Sequence, residues 1–94
     1  MPVVMQMSWP EITREQYETL RKDVDWEGRA PRGAKHHVAY FSKDGFRVLD
    51  TWDTAQDFNH FVETRLMPGV QKLGIKSQPQ VEIVAAHAIF APNP

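Results

Sequence analysis

The chain has 94 residues, no cysteine and a formal net charge of −1, with acidic and basic residues interspersed. A chain of this length makes one domain, 1–94, and buries only about two-thirds of its unfolded surface, so a second copy could add useful burial. Disulfides and thiolate metal sites are excluded, no basic run suggests nucleic acid, and no apolar run approaches the ~20 residues of a membrane span.

The start, MPVVMQM, lacks the pattern of a signal peptide, so a cytoplasmic protein is the default expectation. Val3–Trp9 is short and apolar and stops at Pro10, which reads as a strand. Thr13 and Gln16 then make a capping-box pair, and Tyr17, Leu20 and Val24 form the apolar stripe of a helix. Residues 25–34 (DWEGRAPRGA) are rich in glycine and proline and read as a loop. Trp26 in that loop needs cover. It either closes over a pocket or plugs the end of the core, the plug being the simpler reading.

Residues 35–42 and 46–53 flank Lys43-Asp44-Gly45, and Asp-Gly is a strong hairpin signal. A two-residue Asp44-Gly45 turn pairs Phe41 with Val48, Ala39 with Asp50 and His37 with Trp52. One face then carries His37, Ala39, Phe41, Val48, Asp50 and Trp52. The other carries His36, Val38, Tyr40, Arg47, Leu49 and Thr51. Both faces are partly apolar, so both are expected to be covered.

Thr54 can cap the next helix, Asp57 three residues later completes a capping-box pattern, and the helix's apolar face is Phe58, Phe61, Val62 and Leu66. Pro68 cannot continue a regular helix and is expected to open a second one, carrying Val70 and Leu73 and stopped by Gly74. His60, Glu63 and Arg65 read as solvated helix residues. Residues 81–90 (VEIVAAHAIF) are the longest strand candidate, apolar on both faces except at Glu82 and His87, and the tail APNP is irregular.

The order strand, helix, strand, strand, helix, strand predicts an α+β fold: a ferredoxin-like βαββαβ unit with a four-stranded antiparallel sheet. Two helices cover one face only. The simplest cover for the other is the same face of a second copy, with Tyr40 and Arg47 packing in that interface and two sheets enclosing a barrel.

Two stretches, VLDTWDTAQDFNHFVETRLMPGV and VEIVAAHAIFAP, resemble the dimeric α/β-barrel superfamily, and within it the antibiotic-biosynthesis-monooxygenase-like proteins. A tryptophan ends the third strand, a small capping residue follows, and an aromatic-rich helix comes next. The last stretch looks like the strand through which such proteins dimerise. The resemblance implies a homodimer joined through the sheet face and last strand, and a pocket between each sheet and its helices. It leaves the reaction open among cofactor-free quinol oxygenases, haem-degrading enzymes, polyketide cyclases, aldoxime dehydratases and members without known activity. Haem-degrading members carry an asparagine on the first strand, a tryptophan on the second helix and a histidine beyond it. Here Gln6, Phe61 and Gln71 stand at those places, so haem chemistry of that type is not expected and no cofactor is invoked.

Within such a pocket His37 and Asp50 are the candidate catalytic pair. A carboxylate that holds one imidazole proton fixes the tautomer and raises basicity, which suits removal of a proton from a phenol or an acidic carbon. Trp52 and Phe58 could stack on a planar substrate, Trp26 could close over it, and Gln6 could bind a carbonyl or enolate oxygen. A metal site is not expected, because adjacent His36 and His37 point to opposite faces. The functional expectation is a cofactor-free monooxygenase or cyclase acting on a small planar hydrophobic compound. The alternative is a non-catalytic ligand-binding or stress-related barrel, with His37–Asp50 merely a satisfied polar pair.

Overall fold

The structure is a computed structural model and describes residues 1–92; Asn93 and Pro94, the end of the expected irregular tail, lie outside it. β1, Val3–Trp9, alternates strictly: Met5, Met7 and Trp9 are buried, and Val4, Gln6 and Ser8 face the other way. α1 spans Arg14–Val24. Its capping box is complete, with the Gln16 N–H donating to Thr13 Oγ1 at 3.1 Å and the Thr13 N–H donating to Gln16 Oε1 at 3.0 Å. Leu20 and Val24 are the buried end of its stripe, and Asp25 ends it in the left-handed region at φ 58°.

β2, Ala34–Ser42, and β3, Gly45–Trp52, form the expected hairpin in a different register. Ser42 pairs with Gly45, Ala39 with Val48 and His37 with Asp50, a shift of two residues from the expectation. The turn residues are Lys43 and Asp44, both with negative φ, and Gly45 takes the positive one at 108°. An Asp-Gly turn of the mirror-image type needs positive φ at both residues. With Asp44 refusing that, the turn moves one step earlier and glycine follows it. A Cβ on Gly45 would also stand 2.6 Å from Pro10 Cα, so only glycine fits where the hairpin end meets the end of β1. Because the shift is even, every side chain keeps its predicted face. A bulge at Lys35 then sets Ala34 opposite Trp52.

α2, Ala55–Phe61, starts at the Thr54 cap, where the Asp57 N–H donates to Thr54 Oγ1 at 3.0 Å. Pro68 falls in the first turn of a new helix, as expected, but no loop separates that helix from α2. A π-helical turn over Val62–Leu66 leads directly into α3, Met67–Lys72. Met67 N–H reaches five residues back to Val62 O, and this wider turn leaves room for the ring of Pro68, which has no N–H to donate. Gly69 brings α3 close to α1, since a Cβ there would lie 2.9 Å from Val24 Cγ2.

β4 is Gln80–Ala85, shorter than the stretch expected. β4 pairs only with β1, Ala85 opposing Val3, and the Ala86 N–H makes one last bond to Pro2 O at 3.0 Å. The pairing ends there, and His87, Ile89 and Phe90 lie outside the sheet and exposed.

The sheet order is β2-β3-β1-β4, all neighbours antiparallel, which is the ferredoxin-like arrangement. The helices cover the face bearing Met5, Met7, Val48 and Trp52, and fully buried side chains such as Met5 and Val70 each contribute about 1.5–3 kcal/mol. The opposite face is bare in the single chain: Val38 is 52% exposed and Val84 47%, with Tyr40 and Leu49 on the same face. Among the described residues no helix is long and apolar enough to cross a membrane.

Candidate functional site

Four side chains form one hydrogen-bonded chain across the covered face of the sheet. Trp52 Nε1 can only donate, and it donates to Asp50 Oδ2 at 3.0 Å. Asp50 Oδ1 lies 2.7 Å from His37 Nδ1, so the imidazole donates there and keeps its lone pair on Nε2. That lone pair faces the hydroxyl of Tyr17, 3.0 Å away on α1. Asp50 is only 6% exposed, and a buried carboxylate is tolerable because both oxygens are bonded. The register supplies this arrangement: direct opposition of His37 and Asp50 across the hairpin brings their side chains together without reaching diagonally.

Tyr17 is held by rings on both sides, 5.8 Å from Trp26 and 5.2 Å from Phe46 between centroids, and lies nearly parallel to His37 at 13°. Burial raises its pKa above the usual tyrosine value. Arg21 opposes that rise, and Glu18, Glu27 and Asp50 add to it. The phenol therefore stays protonated at neutral pH and donates to His37 Nε2.

The chain of polar groups lines a cavity of about 340 Å³ between sheet and helices. The walls are mostly apolar, including Met5, Leu20, Val48, Trp52, Phe58 and Phe61, and the polar groups gather at Tyr17, Glu27, Lys35, His37 and Asp50. A concave apolar space of this size with a few convergent polar groups is the usual form of a small-molecule site. Trp52 meets Phe58 edge-on at 5.4 Å and Phe61 tilted at 5.7 Å, forming an aromatic wall. His37 keeps a side-chain exposure of 34%, so the polar end of the cavity opens to solvent.

Of the residues singled out from the sequence, His37, Asp50, Trp52, Phe58 and Trp26 all line this cavity. Trp26 stands edge-on to His37 at 5.4 Å, half-buried. Gln6 does not join them. Flanked by buried Met5 and Met7, it sits on the opposite, uncovered face beside Tyr40, Arg47 and Glu82. The alternation of β1 already carried that signal, which the family alignment overrode. His36 also faces outward, with its Nδ1 2.6 Å from Thr51 Oγ1, and His60 is exposed as expected.

Two contacts at the cavity and its loop escaped sequence reasoning. Tyr17 was legible as a stripe residue, but a half-buried phenol also needs a hydrogen-bond partner, and that need was the available signal. Arg65 is not a solvated charge. Its guanidinium reaches Val24 O at 2.9 Å and Asp25 O at 3.3 Å, satisfying the last carbonyls of α1. It thereby fixes the start of the loop carrying Trp26 to the π-helical turn. Nothing local in the sequence predicts a contact spanning 41 positions.

Fold and cavity together place the chain in the ferredoxin-like α+β class with both helices on one face of the sheet. No family model and no curated protein matches it, but solved structures share the fold. SnoaB from Streptomyces nogalater, a cofactor-independent oxygenase, aligns with a TM-score of 0.62 at 12% identity, covering 98% of this chain and 96% of its own. A protein from Nitrosomonas europaea described as a candidate antibiotic biosynthesis monooxygenase aligns at 0.65 and 15% identity, covering 92% and 89%. A dimeric ferredoxin-like protein of unknown function from Thermobifida fusca aligns at 0.64 and 11% identity, covering 92% of each chain.

Proposed function

We propose that this chain is a cofactor-free oxygenase or cyclase-type enzyme that removes a proton from a small planar aromatic or polyketide-like substrate. The observation that carries the reading is the Tyr17–His37–Asp50–Trp52 chain at the polar end of an otherwise apolar cavity. In this reading His37 is the base, Asp50 holds its tautomer and balances the imidazolium, and Trp52 and Phe58 stack on the substrate. Trp26 covers the site from its loop.

The chemistry closes without an added reductant. Removing a proton from an activated CH₂ gives a carbanion stabilised as its enolate. The carbanion passes electrons to dioxygen, the peroxide formed at that carbon loses water, and a C=O replaces the CH₂. One oxygen atom stays in the product and the other leaves as water. The same base and enolate would serve an aldol cyclisation. The shared fold with SnoaB, a cofactor-independent oxygenase, supports the oxygenase form of this reading.

The assembly proposed is a homodimer. The bare apolar face around Val38 and Val84, the exposed Phe90 at 87%, and the dimeric neighbour from Thermobifida fusca support it. A second reading is non-catalytic ligand binding, and one observation favours it: both His37 nitrogens already have partners inside the protein.

Anthrone, a planar carbon acid, separates the two readings. An oxygen electrode and the appearance of anthraquinone would report turnover, and His37→Ala should lower the rate by about 100-fold or more. Anthrone bound in the cavity but oxidised no faster than in buffer would favour the binding reading. Equal rates for wild type and His37→Ala would remove His37 as the base.

A further inference from the structure

Resting on the proposed base, we infer that Tyr17 is a further catalytic residue: its phenol oxygen, not the His37 imidazole, receives the substrate's proton. The hydrogen bonds dictate this order. Trp52 and the Nδ1–H of His37 occupy the two oxygens of Asp50, so His37 can accept a proton only at Nε2. The Tyr17 hydroxyl already sits on Nε2 at 3.0 Å. A substrate in the cavity therefore meets Tyr17 Oη, which still has lone pairs to offer, before it meets the base.

The transfer balances as two coupled steps. The substrate O–H or C–H bond breaks as a new O–H bond forms on Tyr17, while the original Tyr17 proton moves to His37 Nε2. The result is a substrate anion, a neutral Tyr17 and an imidazolium facing the Asp50 carboxylate. The renewed Tyr17 hydroxyl then donates to the substrate anion, so the same group that takes the proton also stabilises the charge it leaves behind.

Tyr17 is built for one position. It projects from α1 between Trp26 and Phe46, with centroids 5.8 and 5.2 Å away, while His37 and Asp50 come from the sheet. The ring cannot swing aside without breaking both aromatic contacts. Displacement of the hydroxyl by substrate is thus disfavoured, and relay through it is the route left open. The charged groups around it are Arg21 and Glu18 on α1, Glu27 on the loop and Asp50 on β3.

The test uses para-nitrophenol, whose phenolate is yellow, bound to the wild-type protein, Tyr17→Phe and His37→Ala. Tyr17→Phe keeps the ring contacts, and thermal unfolding of each variant verifies the fold. The wild type should lower the probe's apparent ionisation midpoint by about one pH unit. Both variants should still bind the probe and lose that shift. If Tyr17→Phe keeps the wild-type shift while His37→Ala loses it, the Tyr17 hydroxyl does not contact the probe oxygen and the relay is wrong. If the wild type leaves the midpoint of bound probe unmoved, the base itself fails, and with it both this inference and the enzymatic reading it rests on.

Discussion

Replacing Asp50 by asparagine probes the geometry with the least change in shape. Asp50 now accepts twice, from His37 Nδ1–H at 2.7 Å and from Trp52 Nε1–H at 3.0 Å. An asparagine has one acceptor and one donor group in the same space. Trp52 can only donate, so the amide oxygen must turn toward it and the NH₂ toward His37. His37 Nδ1 must then accept, the ring proton moves to Nε2, and the lone pair that faced Tyr17 is lost. Charge-assisted bonds give way to neutral ones, which costs about 2 kcal/mol, or roughly 10 °C of melting temperature for a domain of this size. The functional loss should be far larger, about 100- to 10,000-fold in any base-dependent rate, because the tautomer is wrong rather than the fold. Nitrogen-15 shifts of His37, read in the neutral imidazole, report the tautomer directly. Asp50→Asn should exchange the protonated and bare nitrogens. An unchanged tautomer together with unchanged anthrone turnover would refute the reasoning.

Three further outcomes rest on the same contacts. Arg65→Ala removes the donor to Val24 O and Asp25 O and should destabilise the protein by about 1–3 kcal/mol in urea unfolding, with faster amide exchange in the Trp26 loop than in the sheet. Tyr17 should ionise above the ordinary tyrosine value in an ultraviolet titration, and Tyr17→Phe should remove that transition. Its raised folded pKa gives stability that is present below the unfolded value of about 10 and lost as pH rises through the folded value, so wild type should lose more stability than Tyr17→Phe across that window. Leu49→Lys places a charge on the uncovered sheet face and should convert a dimer to a monomer in light scattering at micromolar protein, with the monomer's sheet intact by circular dichroism.

The parts of this fold legible in sequence are those set by local periodicity. The strand Val3–Trp9, the complete capping box of α1, the Thr54 cap of α2 without the reciprocal Asp57 bond expected, and the division of the hairpin into two faces follow from alternation and from Thr13, Gln16 and Thr54. The partners across the hairpin were not legible, because they depend on whether Asp44 adopts positive φ, and an even slip leaves the face pattern untouched. The length of β4 was not legible from its apolar run, because a strand extends only as far as it finds pairing, and the pairing with β1 ends at Ala85 opposite Val3. Pro68 opens α3 as its residue type predicts, whereas the π-helical turn that joins α2 to α3 is not forecast by propensity alone.

For the site, the sequence supplied the groups and the structure supplied their connections. His37, Asp50 and Trp52 alternate onto one face, so a shared environment could be read directly. Tyr17 could not be joined to them, since that contact depends on how α1 lies across the sheet. Gln6 shows the opposite case, where the alternation of β1 was more reliable than a family alignment.

The most direct measurement is a crystal structure of the protein soaked with a planar phenol such as 2-naphthol. The rings should lie against Trp52 and Phe58, with the hydroxyl within hydrogen-bond distance of Tyr17 Oη. Naphthol seated only on the outward face beside Gln6 and Arg47, or a collapsed cavity in which the aromatic side chains fill the space themselves, would contradict the account.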